Sequence, residues 1–262
     1  SDKQFRENKI ISFGHTSSGG RPHAEANTLE NVHFKKNKIY TLYSTLEPCC
    51  HDGRDESCVS KILKSKKINR VIFSLIDPDK RVNGKGKKIL KKNNLEVKSG
   101  LLENQIKNLY QGYILNRKEN RPKIILKLAI TKDGYITFEK GKRTKITNLI
   151  SDKYSDILRS EVDAILVGAN TVRIDNCILK CKMTGLINKS PIRIVLNRKL
   201  DLSTNSKIFK NCKEFRTILF TSNSRKNLIK NYEKKGVEVT FLKKEFYTLK
   251  NILKKLSSLG IS

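Results

Sequence analysis

Short apolar stretches rich in β-branched and aromatic residues alternate along the chain with longer stretches whose apolar positions recur at helical spacing. The first pattern predicts strands and the second predicts helices. The predicted strands are Lys9–Phe13, Lys38–Ser44, Arg70–Ile76, Leu95–Ser99, Lys123–Ile130, Val162–Val167, Ile192–Leu196, Thr217–Thr221 and Val237–Leu242. The predicted helices are 24–33, 58–67, 84–93, 101–117, 151–160, 224–235 and 248–259. This alternation is typical of a three-layer α/β architecture.

A charged segment without apolar periodicity, Asn116–Pro122, interrupts the alternation and ends in a proline that stops a helix. A chain of 262 residues is also longer than most single domains. We therefore predict two domains, residues 1–118 and 121–262. The chain opens on what reads as one arm of a hairpin and ends where a strand would follow, so we expect sequence to be missing at both ends.

The formal net charge of +30 comes from lysines and arginines spread over both halves of the chain. A basic surface can attract nucleic acid or phosphorylated metabolites. Because lysine, asparagine and isoleucine are abundant everywhere, a biased base composition explains the charge better, and we do not predict nucleic-acid binding. No apolar run approaches the ~18 residues of a membrane span, and no signal peptide opens the chain. These observations predict a cytoplasmic protein without membrane association.

The six cysteines are irregularly spaced, which does not fit a secreted disulfide framework and favours a metal or a catalytic role. His23 and Glu25 open one predicted helix, while Cys49 and Cys58 flank the loop between a predicted strand and the next helix. A catalytic zinc ion takes three protein ligands and leaves one position open. One imidazole and two thiolates supply that number, so we predict zinc at His23, Cys49 and Cys58.

Glu25 lies two residues beyond the histidine ligand, where its carboxylate can move a proton from an activated water to a leaving amine. His-x-Glu followed by Pro-Cys is part of the signature of zinc deaminases, in which the glutamate is acid/base and not a ligand. Each half of this pattern alone would be structural in most proteins. Together and in order, the two halves predict hydrolytic deamination.

Eight residues separate Cys49 from Cys58, whereas deaminases of nucleic acids and simple nucleosides commonly have two. The longer loop carries His51 and Arg54, which could face the substrate, and an arginine is a natural partner for a phosphate. Cys50 could compete with Cys49, but Pro48 places the signature on Cys49.

Six stretches together resemble the bifunctional deaminase/reductase family of riboflavin biosynthesis, the RibD family. They are "PHAEANTL" (22–29), "TLEPCCHDGR" (45–54), "DPDKRVNGKG" (77–86), "LKLAITKDG" (126–134), "VGANTVRIDN" (167–176) and "PIRIVLN" (191–197). The resemblance implies a cytidine-deaminase-like three-layer α/β/α domain followed by a dihydrofolate-reductase-like α/β domain. It also implies pairing of two copies through the reductase domain.

The family's two reactions are consecutive. 2,5-Diamino-6-(5-phosphoribosylamino)pyrimidin-4-one first loses its 2-amino group as ammonia, and NADPH then reduces the ribosyl side chain to ribityl. The resemblance implies roles for seven residues of the second half. Ala129, Thr171 and Asp175 are matched to the NADPH site, Arg159, Leu179 and Lys182 to the substrate side, and Lys127 to a polar contact with substrate or cofactor. Neither a Gly-x-Gly-x-x-Gly fingerprint nor a P-loop is present in the sequence, so the cofactor prediction rests on the resemblance alone.

The chain departs from the family pattern at several positions. Asp55-Glu56-Ser57 replaces Thr-Pro-Pro before the last cysteine ligand, Lys145 replaces a tryptophan, and Cys177 replaces a proline. Lys182 stands where an arginine is common, which keeps the charge but loses bidentate geometry. Two other functions stay open on the sequence alone, a nucleic-acid base deaminase and a non-catalytic module stabilised by zinc.

Overall fold

A computed structural model describes residues 9–53 and 55–262. The chain divides between Glu119 and Asn120 into two compact units. The division falls within the predicted linker Asn116–Pro122, although residues 116–119 continue a helix. Arg117, Lys118 and Glu119 are good helix formers, and their presence explains why the helix extends into this charged segment. None of the helices in the described residues has the length and hydrophobicity needed to cross a membrane.

The first unit contains a parallel three-stranded sheet in the order β1-β2-β3. Its strands are β1 (Tyr40–Leu46), β2 (Ile68–Leu75) and β3 (Glu96–Ser99). Its helices are α1 (Ala24–Glu30), α2 (Cys58–Ser65), α3 (Lys85–Lys92), α4 (Glu103–Leu109) and α5 (Gln111–Glu119). Val71 and Phe73 of β2 are fully buried and share one core cluster with Ile62 of α2 and Leu90 of α3. This packing holds the amino-terminal end of α2 beside the carboxyl end of β1.

The second unit contains a parallel four-stranded sheet in the order β4-β5-β6-β7. Its strands are β4 (Ala164–Gly168), β5 (Ile192–Leu196), β6 (Thr217–Thr221) and β7 (Glu238–Phe241), and its helices are α6 (Leu149–Glu161), α7 (Ala169–Asp175), α8 (Lys226–Glu233) and α9 (Leu249–Ser258). Leu219 of β6 packs in one core cluster with Val172 of α7 and Tyr232 of α8, while the neighbouring Ile218 and Phe220 pack in another with α9. Helices therefore cover both faces of the sheet.

Two predicted strands are wrong. Lys9–Phe13 and Lys123–Ile130 have strand-forming sequences, but neither pairs with another strand among the described residues. A strand needs a neighbour for its backbone hydrogen bonds, and this neighbour cannot be read from local sequence. Ile10 and Leu126 are accordingly 82% and 80% exposed.

The predicted helix 101–117 is two helices, α4 and α5, that meet at Tyr110. The short helix α7 was not predicted, because its asparagine, threonine and β-branched residues have low helix propensity. Strands β5 and β6 have the predicted boundaries.

Candidate functional site

The candidate metal ligands come from two places where the chain enters a helix. His23 is the residue that precedes α1, and Glu25 is the second residue of that helix. Cys49 follows β1 by three residues, and Cys58 is the first residue of α2. Parallel strands connected through helices place such junctions at one edge of a sheet, so residues far apart in sequence come together.

Hydrogen bonds within the 49–58 loop fix the two cysteines relative to each other. The Val59 amide donates to the Cys49 carbonyl oxygen at 3.1 Å, and the Cys58 amide donates to the Cys49 sulfur at 3.3 Å. Asp52 accepts from the Ser57 amide at 2.9 Å, and the Ser57 hydroxyl caps α2 by accepting from the Ser60 amide. The loop keeps its two cysteines in place although the proline pair of the family is absent.

The distances between the three ligand atoms are close to those expected between the ligands of a tetrahedral zinc ion. His23 Nδ1 is 3.4 Å from the sulfur of Cys49 and 3.4 Å from the sulfur of Cys58, and all three atoms lie within 4.8 Å of one another. Zinc bonds of about 2.3 Å to sulfur and 2.0–2.1 Å to nitrogen, at a tetrahedral angle, separate the two ligand atoms by roughly 3.6 Å. The donor set and its spacing therefore fit a zinc ion.

The two thiols differ in acidity. The hydrogen bond from Cys58, together with the neighbouring His23, lowers the pKa of Cys49 to about 4. The same bond, in which Cys58 is the donor, raises the pKa of Cys58 above its usual range. The hydrogen bond to the Cys49 sulfur raises the pKa of His23. The lowered pKa favours the thiolate form of Cys49, and Cys58 has to lose its proton when a metal binds.

Glu25 lies beside the ligands without being one of them. Its Oε2 lies 3.6 Å from the Cys58 sulfur, and burial raises the pKa of its carboxyl group. A raised pKa brings a carboxylate closer to the range in which it can both take up and return a proton.

The other candidates of the first unit have different positions. His51 is half-buried, and its Nδ1 is buried with no hydrogen-bond partner among the described residues, which leaves a polar atom for a ligand. Arg54 lies outside the described residues. Cys50 donates to the Arg81 carbonyl oxygen at 3.6 Å, and it is not in the three-residue ligand cluster.

Sequence reasoning missed a group of buried acidic residues behind the ligands. Glu47, Asp77 and Asp79 are 2%, 5% and 8% exposed. The Tyr113 hydroxyl donates to Asp77 at 2.8 Å, and the Arg81 guanidinium donates to Asp79 at 2.6 Å. The sequence shows that Glu47 and Pro48 directly precede Cys49. It does not show the hydrogen-bond partners of Glu47, which lie 30 to 40 residues further along the chain.

We expect Asp79→Asn to destabilise the first unit in a pH-dependent way. The hydrogen bond from Arg81 holds the pKa of Asp79 well below its usual range. Because the folded-state pKa is the lower one, the ionised carboxylate stabilises the fold above about pH 4, and this contribution disappears as the pH falls through the folded-state pKa. Arg81 is largely exposed, so we expect a loss of about 1 kcal/mol at neutral pH. Urea unfolding near neutral pH and at about pH 2 measures this loss, and an equal loss at both pH values contradicts the assignment.

The reductase candidates are distributed over three parts of the second unit. Lys127 and Ala129 lie in the segment 122–148, which contains neither helix nor strand, and Lys127 is exposed. Arg159 is on α6, and Thr171 and Asp175 are on α7. Leu179 and the exposed Lys182 follow α7 in a loop.

Some of these candidates act electrostatically on a common neighbour, and they form two groupings, one around Cys177 and one around Asp152. The charges of Asp175 and Arg159 both act on the Cys177 thiol, and burial raises the pKa of that thiol. Lys145 pairs with Asp152 at 3.3 Å, and the charge of Lys127 also acts on Asp152. No contact joins the two groupings among the described interactions, so the structure relates Arg159 and Asp175 through Cys177 but does not bring all seven candidates together.

Two features of this unit suit an anionic cofactor or substrate. A Cβ added to Gly168, between β4 and α7, would meet nothing within 4 Å, so the space at this strand end is open. Arg159 donates through Nη1 to Asp156, but its Nε is buried and has no partner in the part of the chain that the structure describes. An open strand end next to a helix start is a common position for a nucleotide, and an unpaired guanidinium nitrogen is a donor for an oxyanion.

Two family models match parts of the chain, one in each unit. Residues 122–262 match the model of the RibD C-terminal domain, and residues 5–75 match the cytidine and deoxycytidylate deaminase zinc-binding region. These matches confirm the predicted fold classes of both halves.

Individual relatives match over most of this chain. The riboflavin biosynthesis protein RibD of Aquifex aeolicus is 38% identical over 256 residues, which are 98% of this chain and 70% of that protein. The Synechocystis protein of the same name is 32% identical over 89% of this chain and 62% of its own length. This chain therefore spans about two thirds of the length of these relatives.

Two solved structures also match this chain over most of its length. Acinetobacter baumannii RibD superposes with a TM-score of 0.83 at 28% identity, covering 97% of this chain and 69% of that one. A diaminohydroxyphosphoribosylaminopyrimidine deaminase/5-amino-6-(5-phosphoribosylamino)uracil reductase from Thermotoga maritima superposes with a TM-score of 0.82 at 30% identity, covering 98% and 70%.

Proposed function

The chain belongs to the RibD family, and from this premise we propose that its two units catalyse consecutive steps of riboflavin biosynthesis. The first unit deaminates 2,5-diamino-6-(5-phosphoribosylamino)pyrimidin-4-one by hydrolysis, and the second reduces the ribosyl side chain of the product with NADPH. One observation carries the first assignment. It is the convergence of His23 Nδ1 and the sulfurs of Cys49 and Cys58, with Glu25 Oε2 only 3.6 Å from the second sulfur.

In the deaminase unit, His23, Cys49 and Cys58 would hold the zinc ion. When bound, zinc lowers the pKa of a coordinated water towards neutrality and so supplies a nucleophile. Glu25 takes the proton of this water on a carboxylate oxygen and delivers it to the departing 2-amino group, which leaves as ammonia. Water and the aminopyrimidine are thus converted to ammonia and the ring carbonyl, and Glu25 returns to its ionised form.

Substrate contacts in this unit are assigned to His51 and Arg54. The unpaired Nδ1 of His51 supports a polar contact to the substrate. The role of Arg54 rests on its charge and its place in the loop between the cysteine ligands, which suit the phosphate of the substrate.

In the second unit, Ala129, Thr171 and Asp175 would line the cofactor site. NADPH would supply a hydride to the ribosyl carbon bonded to the amine nitrogen; the bond from this carbon to the ring oxygen breaks, and that oxygen takes up a proton from water. Arg159, Leu179 and Lys182 contact the substrate, and the unpaired Nε of Arg159 supports a bond to a substrate oxygen. Lys127 makes a polar contact to substrate or cofactor. We also propose that two copies pair through this unit, which sedimentation of the chain would test.

The assay that tests the proposal supplies the diaminopyrimidine ribosyl phosphate with and without NADPH. Ammonia and nicotinamide absorbance are followed separately. We expect ammonia release that requires zinc but not NADPH, and NADPH oxidation only after the amino group has left. NADPH oxidation with the undeaminated substrate, or ammonia release that survives removal of zinc, contradicts the assignment.

A further inference from the structure

We propose that Glu47 is a positioning residue for the zinc centre. It holds the segment that leads from β2 into α3, here called the 77–84 loop, against the two sulfur ligands. Glu47 is 2% exposed and lies two residues before Cys49. The inference rests on the proposed zinc-dependent function and adds a residue to it.

The carboxylate of Glu47 accepts hydrogen bonds from both ends of the 77–84 loop. Oε2 accepts from the Gly84 amide at 2.8 Å and from the Asp77 amide at 3.3 Å. Oε1 accepts from the Lys87 amide in the first turn of α3 at 2.9 Å. One buried carboxylate thus binds three backbone N–H groups that local sequence leaves unpaired.

Glu47 also serves as the N-terminal cap of α3. The residue at the start of this eight-residue helix is Gly84, which has no side chain to accept from the first-turn amides. A negatively charged acceptor at this end is favourable because the first amides of a helix are unpaired and carry partial positive charge. Glu47 provides that charge from another part of the chain.

The helix is packed directly onto the segment that carries the cysteine ligand. A Cβ added to Gly86 would lie 2.4 Å from the Pro48 carbonyl oxygen and 3.2 Å from Glu47 Oε1. Only a glycine permits this approach of α3 to the residue before Cys49. A shift of α3 would therefore be transmitted to the backbone of Cys49.

The centre of the 77–84 loop forms the apolar wall of the metal site. Val82 is 1% exposed and packs in one cluster with Cys49 and Cys58. An apolar wall of this kind limits water access to the thiolates, and outer contacts that orient metal ligands strongly affect metal affinity. Glu47 fixes the two ends of the loop from which Val82 projects, so we assign it control of zinc retention.

The test is the zinc affinity of the full chain with Glu47→Gln, measured by competition with a chromophoric chelator. The glutamine side chain has an NH2 group in place of one carboxylate oxygen. This group cannot accept a hydrogen bond from a backbone N–H, so at least one of the three hydrogen bonds is lost. We expect zinc affinity to fall roughly 10- to 100-fold. The absorption bands of the cobalt-substituted protein, which report thiolate coordination, should shift as well.

Two further variants separate positioning from stability. Val97→Ala removes a buried side chain of β3, outside the cluster of Val82 and the cysteines, and should lower the stability of the first unit with zinc affinity and cobalt spectrum unchanged. Val82→Ala leaves the carboxylate bonds intact and should speed zinc dissociation about tenfold. It remains informative if Glu47→Gln does not fold.

Wild-type zinc affinity in Glu47→Gln, or a wild-type rate of zinc dissociation in Val82→Ala, overturns the inference, as does a loss of affinity in Glu47→Gln no larger than that of Val97→Ala. Such a result leaves the proposed deamination intact. Conversely, a wild-type chain that binds zinc but releases no ammonia overturns the proposed function while the role of Glu47 in metal retention stands.

Discussion

Glu25→Gln is expected to reduce ammonia release by roughly 100- to 10,000-fold, the usual contribution of a general acid–base group. The amide is nearly isosteric with the carboxylate but can neither accept the proton from water nor return it to the amine. Zinc content should stay at the wild-type level, because Glu25 contacts Cys58 without belonging to the ligand set. The comparison needs initial rates of ammonia release and metal analysis on the same preparations.

Glu30→Gln is the matched control for this experiment. Glu30 ends the same helix, is exposed and pairs with Lys61 at 3.0 Å, so its replacement should leave the rate unchanged. In the wild-type chain, the rate should fall on the acidic side as Glu25 becomes protonated, and its raised pKa moves that fall to higher pH than for an ordinary glutamate. Ammonia release at the wild-type rate in Glu25→Gln would contradict the assignment of Glu25 as the acid–base group.

Cys49→Ser should weaken zinc binding roughly 100- to 1,000-fold. Structural zinc sites of four ligands contribute about 10–16 kcal/mol, or roughly 2.5–4 kcal/mol for each ligand. A serine hydroxyl does not ionise near neutral pH, whereas the pKa of Cys49 is lowered to about 4. Deaminase activity should fall with the zinc content, and NADPH oxidation with already deaminated substrate should not change.

Cys50→Ser is the matched control for Cys49→Ser. The two cysteines are neighbours, but only Cys49 faces His23 and Cys58, while Cys50 bonds to the Arg81 carbonyl oxygen. We expect Cys50→Ser to keep wild-type zinc affinity. Equal losses in the two variants would contradict the ligand assignment.

The zinc site was predictable because its chemistry is concentrated in short motifs. His23 lies 26 residues from Cys49 and 35 residues from Cys58, yet each ligand stands beside a predicted junction of elements. Strands β5 and β6 were predictable because both are short stretches rich in β-branched and other apolar residues, although Arg193 lies within β5.

Features that depend on distant partners were not predictable. The sequences of Lys9–Phe13 and Lys123–Ile130 favour strands, but the described chain has no neighbour that pairs with them. Arg193 is completely buried because carbonyl oxygens such as that of Phe215, at 2.7 Å, accept from it, and no local pattern indicates this. Glu47 was missed for the same reason. In the second unit the site residues came only from family resemblance, since no motif there carries chemistry by itself.

The central claim is that one imidazole and two thiolates hold a zinc ion with a position left open. X-ray absorption at the zinc edge of the purified chain tests it most directly. We predict one zinc per chain with two sulfur neighbours at about 2.3 Å and two lighter neighbours, one nitrogen and one oxygen, at about 2.0–2.1 Å. A spectrum with four sulfur neighbours, or a chain that retains no zinc after equilibration with the metal, would contradict the account.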